Sequence, residues 1–479
     1  MTTMPSAFTP VGADPDEVRC YLEEHRAEFR AELAEWVAIP SVAGMPEHTD
    51  DVRRSADWLV ARCEQLGFPT AEVWESGDSV GVFAEWIVDP DLPTALVYGH
   101  HDVRAAKAEE WTVTSPFQPA LRGDRLYGRG SSDAKGQLLA HLWAIRAHLD
   151  ASGDDTPAVN LRLIVEGEEE LGSPHFRELL EEHRDRLSAD VIVFSDTLQW
   201  RAGEPALCTS VRGMIGAELE IRGPLKDIHS GASSGPAPNP AITLATLIAA
   251  LQDESGRIAF PGFYDDVIEI SPQRRAELAA LEYSDDDWLD RTHTETTEGE
   301  AGYSVLERLW ERPSLEVVSL LAGDPLGMPR AVIPSAATVS LSIRTVEGQR
   351  VATVADQLRS FVEEHVPDGY GYGLSVAEET GQEPYRTPET WHVDALDRAM
   401  RIGYRVTSVG RMGNAGGGPA DLLATLIGAP VLFFGTGLPE DYWHDSDESA
   451  DLREALAGAA TLAQLWLEIA AGPQPDDPS

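Results

Sequence analysis

Short β-rich runs that end in acids or histidines, and that alternate with helix-like stretches, constrain this chain more than any other feature. The apolar run at 95–98 is followed by Gly99-His100-His101-Asp102. A second run at 161–165 leads into Glu166-Gly167-Glu168-Glu169-Glu170, and a third at 191–194 leads into Ser195-Asp196. Helical stretches at about 136–149 and 174–187 lie between them. This alternation predicts an α/β fold, in two or three layers, around a mostly parallel sheet. Sheets of that kind bind ligands at the carboxyl ends of their strands. These acids and imidazoles fall there.

A chain of 479 residues is too long for one ordinary core. After Arg212-Gly213 the pattern changes to strand (216–221), helix (241–251), a long acidic insertion, strand (338–344), helix (350–364) and a strand-like piece (372–376). We read this as an α+β unit inserted in an α/β domain, with divisions at 1–211, 212–384 and 385–479. The acidic stretch 284–302 reads as a solvated surface segment. Asp14-Pro15-Asp16-Glu17 predicts a capped helix start with Glu17 closing a capping box, and a helical stripe from Val18 to Trp36 that Pro40 stops.

Net charge is −44, and the only lysines are Lys107, Lys135 and Lys226. Such a surface repels nucleic acid and anionic membranes. No apolar run reaches the roughly 18 residues of a membrane span. Met1–Ser6 shows no basic segment followed by an apolar one, so the expectation is a cytoplasmic chain. Cys20, Cys63 and Cys208 are too few and too far apart for a disulfide scaffold or a CxxC zinc site.

Each candidate residue has an ordinary reading of its own. Asp133, in Gly128-Arg129-Gly130-Ser131-Ser132-Asp133 before a helix, reads first as an N-cap. Asp196 reads as turn chemistry, and His229 and His444 as packed or surface histidines. The Glu166–Glu170 run is harder to dismiss. Acids crowded at a strand end raise one another's pKa unless a cation neutralises them.

Taken together, GHHDV, LYGRGSSDAKG, EGEEELGS, SDT, IHSG and WHDSDE resemble, in order and spacing, the M20 metallopeptidases, closest to the branch of carnosinase-like and cytosolic dipeptidases. The resemblance spans nearly the whole chain. It implies that His100, Asp133 and Asp196 hold one metal and Asp133, Glu170 and His444 the other, with Asp133 shared. Two divalent ions per subunit are expected, Zn²⁺ first, with Mn²⁺ or Co²⁺ also suited to nitrogen and oxygen donors. It further implies that Asp102 orients His100, and that Glu169 is general base to a hydroxide held between the ions. His229, from the partner subunit, would stabilise the oxyanion. Arg344 would pair with a substrate carboxylate, and the inserted unit would be a ferredoxin-like lid and dimerisation domain. His101 matches no ligand position.

One loop departs from the pattern. Dipeptidases of this branch carry Glu-Gly-Gly-Ser-Ile-Pro where this chain has Asn414-Ala415-Gly416-Gly417-Gly418-Pro419. The amides of Gly416, Gly417 and Gly418 can still form an anion nest, but the hydroxyl is gone. The expected activity is hydrolysis of the amide bond of dipeptides or similar small substrates by a homodimer. The alternatives are a deacylase acting on N-acyl or carbamoyl amino acids and an inactive binding or scaffold homologue.

Overall fold

The computed structural model describes residues 12–77, 79–323, 327 and 330–474. The Met1–Ser6 reading lies outside them. The chain divides into two compact units, one of residues 1–209, 387–412 and 422–479, the other of 210–386 and 413–421. The segment 413–421 thus belongs with the second unit, although it lies beyond the 384 boundary read from sequence.

In the first unit the main sheet runs, in part, Thr70–Ser76, Ser79–Trp86, Asn160–Glu166, Thr94–His100, Val191–Phe194, Val431–Phe433, and continues antiparallel into Ala206–Val211. The first two strands pair antiparallel with their neighbours. The four from Asn160–Glu166 to Val431–Phe433 are parallel to one another, with His100 opposite Glu166 and Tyr98 opposite Phe194. Their carboxyl ends therefore share one rim, and chain segments up to several hundred residues apart in sequence end together.

The four parallel strands are apolar nearly throughout because both faces are covered. Val82, Ala84, Ala95, Val97, Val191 and Val193 share one core with helices Lys135–Ser152, Trp391–Tyr404 and Leu452–Ala471. On the opposite face Tyr98 meets Phe176, at the start of helix Phe176–Glu182, with ring centroids 5.5 Å apart. The unit is thus a three-layer α/β sandwich. No helix among the described residues is long and apolar enough to cross a membrane.

Two local readings need correction. The first helix is broken into Pro15–Glu24 and Arg26–Val37 at His25, whose Nδ1 meets the Tyr21 carbonyl at 2.8 Å while its ring stacks on Tyr21. Its cap is also simpler than a capping box: Asp14 accepts from the Asp16 amide. The acidic segment 284–302 is not merely solvated. It holds a helix, Asp285–Thr292, capped reciprocally by Ser284 and Asp287. Glu300 is buried, accepting from Arg312 at 2.7 and 2.8 Å and from Arg257 at 2.7 Å. Arginines distant in sequence neutralise that acid.

In the second unit, strands Gly213–Arg222, Ser314–Ala322, Ala336–Thr345 and Gly371–Val376 form an antiparallel sheet, with Ala336–Thr345 and Gly213–Arg222 inside. Helices Pro240–Ala250 and Val351–His365 supply Leu244, Leu247, Leu358 and Phe361 to its core. The chain order strand, helix, strand, strand, helix, strand is the ferredoxin-like arrangement.

Candidate metal centre

The rim of the parallel strands places the chemistry. Gly99 lets the His100 strand end against its surroundings, since a Cβ there would lie 2.7 Å from the Leu138 side chain. His100 is fully buried. Its Nδ1 lies 3.1 Å from the Asp102 carbonyl and 3.3 Å from Asp102 Oδ1. Asp102 also accepts from the amides of Glu169 (3.2 Å) and Glu170 (3.1 Å), so one carboxylate ties the imidazole to the Glu169–Leu171 turn. The other ring nitrogen, His100 Nε2, faces Asp133 Oδ1 at 3.1 Å and Asp196 Oδ1 at 3.7 Å.

Asp133 is not the cap of the following helix, whose N-cap is Ala134. Its Oδ2 lies 3.1 Å from His444 Nε2, and the same nitrogen lies 3.1 Å from Glu170 Oε2. His444 reaches that position from a loop in which Tyr442, His444 and Asp447 all have positive φ. The result is two donor groups, His100–Asp133–Asp196 and Asp133–Glu170–His444, with one ligand atom per residue and all such atoms within 4.8 Å of one another in each group.

Two observations fit these groups to cations. Asp196 Oδ1 is buried with no hydrogen-bond donor in range, His100 Nε2 lying 3.7 Å away, a costly state for a carboxylate oxygen, whereas Glu170 Oε2 faces Arg104 Nε at 3.0 Å and His444 Nε2 at 3.1 Å. The acids also crowd one another: at about 4 Å and an effective dielectric near 20, each like-charge pair costs about 4 kcal/mol. Burial, and then the Asp196 charge, push the Glu169 carboxyl well above its ordinary value. Burial also raises Asp196 and, with the Asp133 charge, Glu170. Against burial, hydrogen bonds to Asp102, Asp133 and Asp196 hold His100 protonated far above the usual imidazole range. His444 is pushed up to about 10 by Asp133 and Glu170, which outweigh its burial. Without metal, protons carry the compensating charge, and divalent ions at these donors would displace them.

Glu169 sits beside this cluster. Among the described residues nothing donates a hydrogen bond to its carboxylate, which leaves that group available for proton transfer. His101 has a different task. Its Nε2 meets the Val80 carbonyl at 2.7 Å and burial pushes its pKa down to about 4, so it is a neutral packing residue.

His229, Arg344 and Gly416, Gly417 and Gly418 belong to the second unit. His229 is exposed and caps the short helix Ser230–Ser233, with Nδ1 accepting from the Ala232 amide at 3.2 Å. That bond leaves Nε2 as the proton-bearing nitrogen of the neutral ring. Arg344 lies on strand Ala336–Thr345, half-buried, and burial lowers its pKa. Among the described residues no carboxylate lies within ion-pair distance of it. The Gly416 amide already donates to Asn414 Oδ1 at 3.3 Å, which removes one donor from the expected nest. Gly417 is pressed against Gln382, where a Cβ would come within 2.0 Å of Oε1.

Reading WHDSDE as one motif leaves unassigned the acids within it and just before it. Asp441 accepts from Ser132 Oγ and the Leu438 amide. Asp447 accepts from the Thr112 and Val113 amides. Glu448 is fully buried against the Asp133 loop. The one available signal was the density of acids around His444, which exceeds what a single ligand requires.

Nitrogen and oxygen donors in two groups sharing a carboxylate, at the rim of a parallel sheet, define a metal-dependent hydrolase. The chain belongs to peptidase family M20/M25/M40, whose model matches residues 96–468. It is 28% identical to the Beta-Ala-His dipeptidase of Homo sapiens, over 97% of this chain and 94% of that protein. It is 27% identical to the Cys-Gly metallodipeptidase of Schizosaccharomyces pombe, over 95% and 98% respectively. The crystal structure of human carnosine dipeptidase 1 superposes with a TM-score of 0.83 at 27% identity, covering 96% of this chain and 100% of that one. The family resemblance read from the motifs is therefore borne out.

Proposed function

We propose that this protein is a dipeptidase that binds two divalent ions per chain, Zn²⁺ first among them. The observation that carries the reading is the pair of donor groups sharing Asp133, with the free carboxylate of Glu169 beside them. When bound, the ions supply Lewis acidity to the scissile carbonyl and to the attacking water. Glu169 takes a proton from that water and delivers it to the leaving nitrogen. Asp102 holds His100 in one orientation through Nδ1. Arg344, lacking an internal carboxylate, receives that of the substrate. The Gly416–Gly418 backbone borders the same group with fewer free amides than a full nest. The low cysteine content, three in 479 residues, accords with a cytoplasmic location.

His229 acts in a homodimer in this reading, donating from Nε2 to the developing oxyanion in the active site of a second copy. The exposed edge strand Ser314–Ala322 supports association through the second unit, because Val317, Val318, Leu320 and Leu321 lie open on it. His229→Ala should lower kcat by about 10²–10³-fold with metal content unchanged. Unaltered steady-state kinetics in that variant would remove His229 from the mechanism.

The decisive experiment is hydrolysis of a panel of free dipeptides and N-acyl amino acids by protein stripped with chelator and reloaded with Zn²⁺ or Mn²⁺. Dipeptides with a free α-amino group should be cleaved, chelation should abolish turnover, and metal should restore it. Cleavage of blocked amines alone would instead make the protein a deacylase. Full activity in excess chelator would sink both.

A further inference from the structure

We infer that Glu448 is a positioning residue that locks the shared ligand Asp133 and the His444 loop into one geometry, and so sets how tightly the ion between Asp133, Glu170 and His444 is held. The inference rests on the metal-dependent reading above.

Glu448 has no solvent exposure. Its Oε1 accepts from the backbone N–H of Gly130, Ser132 and Asp133, each at 3.1 Å. Its Oε2 accepts from Arg129 Nη1 at 2.7 Å and from the Gly130 amide at 3.0 Å. The Glu448 carbonyl accepts from the Gly128 amide at 2.9 Å. The loop that ends in Asp133 is thus wrapped around one carboxylate that lies four residues beyond His444 in sequence. Strand pairing holds the carboxylate in place, because Ser449 sits opposite Tyr127.

Further bonds tie the same two loops. Arg129 Nη2 donates to the Asp445 carbonyl at 3.0 Å, next to His444. Ser132 Oγ donates to Asp441 at 2.5 Å and accepts from Trp443 Nε1 at 2.8 Å. Glu448 is the member of this set that reaches the Asp133 backbone directly. Asp133 points Oδ1 at His100 and Oδ2 at His444, so a small shift of its backbone moves an oxygen in both donor groups. Ligand sites tolerate about 0.5 Å of such displacement. A buried charge pair adds little net stability over an apolar substitute, whereas fixing one arrangement of two loops is a task that a carboxylate facing only donors performs well.

The test compares wild type, Glu448→Gln and Glu448→Asp as full chains, stripped and titrated with Zn²⁺ alone against a chromogenic chelator. Circular dichroism and melting of the metal-free chains monitor the fold. Glutamine keeps the size but turns one acceptor into an NH₂ aimed at other donors. Both Zn²⁺ ions should bind more weakly, and the one between Asp133, Glu170 and His444 the more so, by about 10–100-fold, with Glu448→Asp between. Excess Zn²⁺ should recover kcat in both variants with KM little changed. A lowered melting temperature with wild-type affinity for both ions would overturn the inference, since a purely structural role predicts that pattern. If the Gln variant fails to fold, the Asp variant decides, and unchanged affinity for both ions rejects the inference. A wild-type chain that takes up only one Zn²⁺, or none, overturns the two-ion reading itself and the role of Glu448 with it.

Discussion

Glu169→Ala should bind both divalent ions and keep its fold, yet lose about 10²–10⁴-fold in turnover. The Glu169 side chain belongs to neither donor group, and among the described residues no hydrogen bond holds its carboxylate. What holds the turn is its backbone, whose amide donates to Asp102, and alanine preserves that bond. Removing the carboxylate also relieves repulsion, since Asp196, Glu170 and Glu166 all raise its pKa after burial does. The metal-free variant should therefore melt no lower than wild type, the pattern expected where activity needs a group that stability does not. Metal analysis, melting and steady-state kinetics on one preparation check all three statements. Wild-type turnover would exclude Glu169 as the base, and loss of an ion would make it a ligand instead.

Asp133→Asn should do the opposite and disarm the centre by removing its metals. Asp133 alone is common to both groups, with one oxygen toward His100 and the other toward His444. Burial opposes its charge, and hydrogen bonds to His100 and His444 overcome that, so its carboxyl lies below the ordinary value. Asparagine offers one oxygen and an NH₂ that repels a cation, so only one of the two directions can be served. Zn²⁺ content should fall to one ion per chain or fewer. Loss of Lewis acidity worth several kcal/mol corresponds to about 10³-fold or more in kcat/KM. Two ions bound at wild-type affinity would show that Asp133 is not shared. Together the two variants separate proton transfer from metal binding, since one empties the site and the other leaves it full.

The sequence was most readable where local pattern and global fold agree. The runs at 95–98, 161–165 and 191–194 are strands because they are short, apolar and buried on both faces. Where one particular side-chain contact intervened, the local reading failed. His25 breaks a helix that the apolar stripe continued, through its bond to the Tyr21 carbonyl. Glu300 sits buried in an acidic stretch because Arg312 and Arg257 meet it. The Gly416 amide is taken by Asn414, a side chain two residues away, which the loop's composition did not reveal.

By itself the sequence determined the α/β architecture, the family and the identity of the acids and imidazoles at each strand end. Residue type and spacing suffice there, because a parallel strand delivers whatever follows it to one rim. Only the tertiary structure decided how those residues divide their work. Asp102 turns from His100 to the amides of Glu169 and Glu170, Asp133 faces two histidines at once, and Glu448 gathers the amides that hold Asp133. The physical reason is that a carboxylate's role depends on which donors and charges lie within about 3 Å of it. For Asp133 and Glu448 the two segments that meet lie more than three hundred residues apart.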